Sequence, residues 1–238
     1  MNRFFVSDIG LETAVIEGED LKHLASVLRL KKGDRVMLSD GRGSECEGEI
    51  RKVEPGKALV RTGPWRPSVS EPHHKLTLFQ CLPKAGKMET IIQKCTELGM
   101  YALVPTLSAR CVVQPGRDFE KKLQRYRKVA REAAMQSHRG LVPEVLPLVE
   151  LKKAGLSVFD TVYVAYEGEK ERSLKNVMAD RPGRRIALFV GPEGGFEAEE
   201  VAALVEKGAK VVSLGPRILR TETAGMAMCA EILFELGE

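Results

Sequence analysis

The sequence has no Gly-x-Gly-x-x-Gly and no Gly-Lys followed by Ser or Thr, so the glycine fingerprints of a dinucleotide fold and of a Walker phosphate loop are both missing. It has no Cys-x-x-Cys and no Cys/His spacing suited to a metal such as zinc. Cys46, Cys81, Cys95, Cys111 and Cys229 are odd in number and widely scattered, which argues against a disulfide framework and for a reduced, cytoplasmic setting with the thiols as small core residues. No signal peptide is evident, and no apolar run approaches the ~20 residues of a membrane span. Charge is nearly balanced, 37 basic against 33 acidic residues for a formal net of +4, too little by itself to declare a nucleic-acid partner. Internal repeats and low-complexity segments are absent.

What is present is a change of composition along the 238 residues, a length suited to one large or two modest domains at roughly 100 to 200 residues each. Residues 1–62 read as short strands, among them 35–39 and 48–53, with a turn at Asp40-Gly41-Arg42-Gly43 and one amphipathic helix over 21–28. This is the pattern of a small, mainly-β barrel. Residues 63–72 are too rich in Pro to continue either element and read as a linker; Trp65, His73 and His74 within or beside it read as surface residues. Beyond it a strand at 76–82, a helix at 88–98 and a strand at 102–107 open a run of βα units, which implies an α/β fold with a parallel sheet. Two domains are expected, 1–70 and 71–238.

Two loops near the C-terminus carry the chemistry. Gly-Pro-Glu-Gly-Gly-Phe at 191–196 and Leu-Gly-Pro-Arg-Ile-Leu-Arg-Thr-Glu-Thr-Ala at 214–224 each follow a short apolar run, 186–190 and 211–214, that reads as a buried parallel strand. Ligands in such sheets sit beyond the carboxyl ends of the strands. Glycines that let bare backbone approach a partner therefore mark one shared binding site rather than two ordinary turns. Glu193, Glu197, Glu199 and Glu200 crowd the next helix start, suit its dipole and would repel a phosphate, so the ligand is neutral or cationic. Arg217 and Arg220 can grip a carboxylate or an RNA phosphate, or form a salt bridge to one of those glutamates. Thr221 reads as the N-cap of the closing helix.

That helix is apolar on nearly every side over 224–234, with Glu231 its one charge. One face should cover the sheet and the other should meet a second subunit. The helix between Arg117 and Arg139 divides differently: Phe119, Leu123, Tyr126, Ala130 and Ala133 repeat on one side, while Lys121, Lys122, Arg125, Arg127, Lys128 and Arg131 line the other. A solvated face is the common explanation of such a stripe, but its sign bias points to phosphate contact.

The two C-terminal strings resemble those of the ribosomal RNA small subunit methyltransferase E family of the SPOUT superfamily. The resemblance extends to Lys84, Lys87-Met88-Glu89, Ile92-Gln93-Lys94 and Thr96-Glu97-Leu98-Gly99, to Ser108-x-Arg110, to Glu132-Ala133 and Gln136-Ser137-x-Arg139, and upstream to Arg3-Phe4-Phe5-Val6 and His23-Leu24, Val27-Leu28-Arg29-Leu30 and Gly33-Asp34. It covers almost the whole chain. Gly225 departs from a good helix former. The resemblance implies a SPOUT-type parallel sheet with a C-terminal trefoil knot behind a PUA-like β-barrel, S-adenosyl-L-methionine (S-adenosylmethionine) as cofactor, a homodimer, and methylation of N3 of a uridine in 16S rRNA, free or in the 30S subunit. It implies a cofactor pocket of Tyr166, Gly191, Glu193, Gly194, Leu214, Gly215, Ile218, Leu219, Arg220, Thr221 and Ala224. RNA contacts are expected at Arg3, Arg29, Lys84, Lys87, Arg110, Lys121, Arg125, Lys128 and Arg139.

Uridine N3 carries a proton at neutral pH, so its methylation needs a general base or a cation that stabilises the uracil anion. Arg220 or Arg217 could supply the cation, and Glu222 or Glu193 could accept the proton. No metal is required. The other readings are a SPOUT enzyme acting on a ribose 2′-hydroxyl or on transfer RNA, and a non-enzymatic RNA-binding or ribosome-assembly factor.

Overall fold

The computed structural model describes residues 1–10, 12–84 and 86–238, and the chain divides into two compact units, Met1–Glu71 with Ala134–Val142 and Pro72–Ala133 with Pro143–Glu238. The first unit holds strands β1 (Arg3–Phe5), β2 (Thr13–Glu17), β3 (Arg35–Ser39), β4 (Ser44–Glu54), β5 (Lys57–Thr62) and β6 (Arg66–Pro67), with helix α1 (Gly18–Lys22) continuing into a wider π-helical turn over His23–Val27. Their sheet runs β1-β3-β4-β5-β2, with β6 on β4. It is an open half-barrel. Inward-pointing residues alternate along its strands: Val36 and Leu38, Ala58 and Val60, Ala14 and Ile16 are buried with Phe4, Leu24 and Ile50, the period-2 signature of a sheet solvated on one side.

The Pro-rich stretch is not a linker. Arg66 and Pro67 pair with Glu45 and Ser44 as an edge strand, a place where a missing amide costs nothing. Trp65 packs on the core instead of standing in solvent. Ser68 donates to Glu45 (2.9 Å) and Glu71 accepts the amides of Gly140 (2.8 Å) and Leu141 (3.0 Å), which fastens the returning segment Ala134–Val142 to this unit.

The second unit continues with β7 (Lys75–Cys81), α2 (Lys87–Glu97), β8 (Ala102–Leu107), α3 (Phe119–Gln136), β9 (Glu144–Val145), β10 (Val149–Glu150), β11 (Thr161–Ala165), α4 (Leu174–Val177), β12 (Arg185–Val190), α5 (Ala198–Glu206), β13 (Lys210–Val212) and α6 (Thr221–Leu236). All its strands pair in parallel, in the order β10-β8-β7-β12-β11-β13, with β9 on β8. Central β7 and β12 are buried on both faces and read as continuous apolar runs; Phe79 and Phe189 stack across them at 4.4 Å. By contrast β13 is a three-residue edge strand with Val211 half-buried, not the buried strand its sequence suggests.

From that edge the chain returns to the middle of the sheet, where α6 packs on α2, β7 and β12. Gly225 lies in the closest approach: a Cβ there would come within 3.3 Å of Gln80 Oε1 and Leu78 Cδ2. A larger residue would make both side chains give by a few tenths of an ångström, a packing cost set against the roughly 1 kcal/mol that a better helix former would gain. Met228 and Ile232 face this core and are wholly buried. The outward face carries Thr223, Ala227, Ala230 and Phe234, with Phe234 80% exposed, beside exposed Glu231 and Glu235.

Candidate active site

Four loops leave the carboxyl ends of β7, β12, β11 and β13, the position at which a parallel sheet presents a ligand site. A short relay fixes three of them. Gln80 Nε2, at the end of β7, donates to Thr221 Oγ1 (2.9 Å), which donates to the Gly191 carbonyl oxygen (2.6 Å). Thr221 is thus the first residue of α6 rather than its N-cap, which is Arg220 with no side-chain capping bond. The hydroxyl is spent on tying the helix start to the Gly-Pro-Glu-Gly-Gly loop. The fourth loop, 166–173, is folded by Glu169, whose carboxylate accepts the amides of Glu171 (2.8 Å) and Arg172 (3.0 Å), and is joined to β13 through Ser213 N to Arg172 O (2.8 Å).

These loops enclose a cavity of about 960 Å³, at the upper end of small-molecule sites. Tyr166, Gly191, Glu193, Gly194, Leu214, Gly215, Arg217, Ile218, Leu219, Arg220, Thr221 and Ala224 all line it. So do Lys87, expected as an RNA contact rather than a cavity residue, and Glu167, Glu169, Lys170 and Ser173, which the sequence did not single out. The polar run after an unremarked strand at 161–165 was the available signal for the last four. At Gly215, in the cavity wall, φ is +103° and nothing stands within 4 Å of where a Cβ would be: the backbone conformation requires glycine.

Among the glutamates after Gly195, Glu200 is consumed internally. Glu200 accepts the Glu197 amide (3.0 Å) and the Ala109 amide (2.8 Å), so a carboxylate already stands at the α5 start and disfavours a phosphate there. Lys87 makes the other large polar contact. Its Nζ lies 3.0 Å from Glu193 Oε1 and 3.1 Å from Glu222 Oε2, and the Lys84 amide adds a 3.0 Å bond to Glu193. The bonds to Glu193 and Glu222 push the Lys87 ammonium above its ordinary range. Burial pushes the Glu193 carboxyl up, but the Lys84 amide and Lys87 outweigh it and leave it below the ordinary range. At Glu222 burial is likewise outweighed, by its own amide, Lys87 and the Arg220 charge. Both carboxylates are held ionised by a cation, which makes each a poor general base.

Arg217 and Arg220 stand apart from this. Both are exposed at the cavity mouth, and among the described residues neither guanidinium forms a hydrogen bond or ion pair. They have the freedom a substrate-binding cation needs.

The residues expected to touch RNA do not form one set. Arg3 is 8% exposed and ion-paired to Glu45 at 2.9 Å; Arg139 is 3% exposed and ion-paired to Glu71 at 2.6 Å. Both hold the first unit together and offer no outward charge. Lys87 is occupied as described, and Arg110 donates to the Gly194 carbonyl (2.9 Å) while remaining exposed. On α3, Lys121 faces Asp118 (2.8 Å), Arg125 faces Glu89 (3.3 Å) and Lys128 faces Glu132 (3.9 Å), so acids temper the cationic stripe more than its own sequence indicates. Arg29 and Lys84 have exposed side chains. His74, instead of being free, pairs through Nδ1 with Glu238 (2.5 Å). No group of three or more His, Cys, Asp or Glu suited to a metal ion occurs among the described residues, and none of their helices is long and apolar enough to cross a membrane.

Comparison with known proteins agrees with this architecture. A family model for the RNA methyltransferase domain matches residues 70–233, and one for the RNA methyltransferase PUA domain matches 16–62. Ribosomal RNA small subunit methyltransferase E of Bacillus subtilis is 34% identical over 231 residues, 94% of this chain and 90% of that protein. Its namesake in Mycobacterium bovis is 36% identical over 219 residues, 89% and 82% of the two chains. The crystal structure of a ribosomal RNA small subunit methyltransferase E from Neisseria gonorrhoeae bound to S-adenosyl methionine superposes with a TM-score of 0.85 at 30% identity, covering 98% of this chain and 97% of that one. A Legionella pneumophila protein in complex with the same cofactor gives 0.83 at 27%, covering 98% and 96%. With both units matched and the relatives covered nearly end to end, the chain belongs to the ribosomal RNA small subunit methyltransferase E family, with a SPOUT-type sheet behind a PUA domain.

Proposed function

We propose that this protein transfers the methyl group of S-adenosylmethionine to N3 of a uridine in small-subunit rRNA, acting in the cytoplasm as a homodimer whose C-terminal segment is threaded as a trefoil knot. The observation that carries the reading is a cavity shared by four strand-end loops, walled by backbone and with two unengaged arginines at its mouth. Its chemistry fits the cofactor. Gly215 puts bare backbone in the cavity wall, a carboxylate at the α5 start disfavours a phosphate there, and Glu167 and Glu169 supply negative charge for a ligand that carries a cationic centre without phosphates.

When bound, S-adenosylmethionine supplies a methyl already activated on a sulfonium, so the protein's task is alignment, which can contribute about 7 to 11 kcal/mol. The Gln80–Thr221–Gly191 relay holds the cofactor loops in register with the helix that bears Arg220. Arg220 places its charge beside the uracil carbonyl oxygens and stabilises the N3 anion as its proton passes to water. Arg217 anchors the RNA or the cofactor carboxylate. Because Lys87 holds Glu193 and Glu222 as charged partners, neither is assigned as the base.

Two observations support the assembly and the RNA contacts. The outward apolar stripe of α6, ending in exposed Phe234, suits a two-fold interface. Exposed Lys84, Arg110, Lys121, Arg125 and Lys128 suit phosphate contacts, as does Arg29 on the PUA unit. Mass spectrometry of nucleosides from small-subunit rRNA of cells with and without the gene tests the function. Loss of 3-methyluridine supports it. Loss of a 2′-O-methyl nucleoside would assign the enzyme to another position, and an unchanged profile with no calorimetric uptake of S-adenosylmethionine would leave a binding factor.

A further inference from the structure

Arg220, the N-cap of α6, stands two residues before Glu222, an acid of the helix's first turn, and its charge is felt at that carboxylate. They do not join here. The Glu222 carboxylate is engaged instead by Lys87, whose Nζ lies 3.1 Å from Oε2 while also reaching Glu193 at 3.0 Å. One ammonium faces two carboxylates at once, and toward Glu222 the contact is an ion pair, since Oε2 accepts no hydrogen bond. The cluster is partly shielded, the side chains of Lys87, Glu193 and Glu222 being 26%, 26% and 21% exposed, so the pairs are less screened than surface ones. Glu193 is held in place by the Lys84 amide at 3.0 Å, which steadies Lys87 from its far side. The Arg220 charge still reaches Glu222, since it is one of the influences that lower that carboxyl.

We infer that Lys87 is a positioning residue for methyl transfer: by ion-pairing Glu193 and Glu222 it prevents the Glu222 carboxylate from capturing the Arg220 guanidinium, and so keeps that cation free for the substrate base. This rests on the methyl-transfer reading above. Direct phosphate binding by Lys87 is disfavoured by the same geometry, because one ammonium facing two carboxylates leaves the cluster with a net negative charge. Nor is a plain clamp sufficient. A clamp would hold the loop at 191–196 equally well with Arg220 absent, whereas the charge arrangement matters only because Arg220 lies beside it.

The test is steady-state methylation of a small-subunit rRNA substrate by the full-length protein carrying Lys87→Gln, Lys87→Arg, Arg220→Ala, or Lys87→Gln with Glu222→Gln. Lys87→Gln should lower kcat about ten- to hundredfold, short of the roughly hundred- to thousandfold loss expected when a transition-state donor is removed outright. S-adenosylmethionine affinity by calorimetry and KM for RNA should stay near wild type, and Lys87→Arg should retain most of the rate. The decisive variant is the double one. Removing the Glu222 charge should restore most of what Lys87→Gln lost, because no carboxylate remains to bind Arg220. A double variant no faster than Lys87→Gln overturns the inference, as does a raised RNA KM at unchanged kcat, which would make Lys87 a phosphate contact. Loss of cofactor binding in Lys87→Gln would reduce it to a structural clamp. Arg220→Ala with wild-type turnover removes the catalytic reading and the inference together; a slow Arg220→Ala beside a fast Lys87→Gln removes the inference alone.

Discussion

The arginines of the first unit and those at the cavity mouth are the same residue type put to opposite uses. Arg3 and Arg139 each meet a carboxylate, Glu45 or Glu71, and their side chains are 6% and 4% exposed. Arg217 and Arg220 are exposed and unengaged. The difference is the partner: a guanidinium with a buried carboxylate is a fastener, and one left open at the end of a parallel sheet is available to a ligand. Lys87 falls between them, inside the cavity wall but spoken for by two carboxylates.

The strongest way to sharpen that contrast is to break a fastener. Arg3→Ala leaves Glu45, 3% exposed, with only the exposed Arg66 at 3.6 Å as a cation and should cost up to about 3 kcal/mol in denaturant unfolding, while replacing both partners by Met and Leu should cost far less. The pH dependence follows from Glu45. Burial pushes its carboxyl up, but the bonds from Arg3 and Ser68 outweigh this and the folded pKa lies below the ordinary carboxylate value. A lowered folded pKa contributes stability that is fully present above the unfolded value of about 4.3 and lost as pH falls through the folded one. The wild type should therefore lose this contribution only below about pH 4, and Arg3→Ala should become acid-sensitive at higher pH. Full stability of Arg3→Ala would return Arg3 to the outward-facing set.

A smaller effect belongs to the cavity. Gly215→Val forces a branched residue to φ +103°, a strain of about 1 to 3 kcal/mol, in the wall of the cavity proposed to hold the cofactor. Calorimetry should show S-adenosylmethionine binding lost in a chain that still folds. The α6 stripe divides by the same logic: Phe234→Asp should yield folded monomers by light scattering, whereas Met228→Asp buries a charge in the core and should unfold the domain. Dimers persisting in Phe234→Asp would place the interface elsewhere.

The weakest effect is expected on α3. Neutralising Lys121, Arg125 and Lys128 together should flatten the log-log salt dependence of RNA binding by less than the roughly 0.7 to 0.9 per contact of fully free cations, because each already faces an acid. An unchanged slope would make this face merely solvated.

Local features of the chain were legible in sequence. The apolar runs at 76–82 and 186–190 became β7 and β12, the periodic run at 88–98 became α2, and both glycine loops reached one cavity. Distant partners were not. Arg3 and Glu45 are 42 residues apart, Arg139 and Glu71 are 68 apart, and no local pattern joins a cation to a carboxylate at such range. Pro67 concealed β6, because proline is tolerated on an edge strand and otherwise marks a break. The run 224–234 of α6, with Glu231 as its one charge, concealed which side meets the sheet, since periodicity cannot orient so uniformly apolar a stretch.

The central claim is that Arg220 is free in order to stabilise a uracil anion, and single-turnover methyl transfer at saturating RNA and cofactor, measured against pH for wild type and Arg220→Ala, tests it most directly. The variant should be slower by roughly a hundred- to thousandfold near neutrality, and the gap should narrow as rising pH ionises N3 without help. A gap that stays constant with pH, or a variant that reaches the wild-type rate once RNA is saturating, would contradict the claim and make Arg220 a substrate anchor.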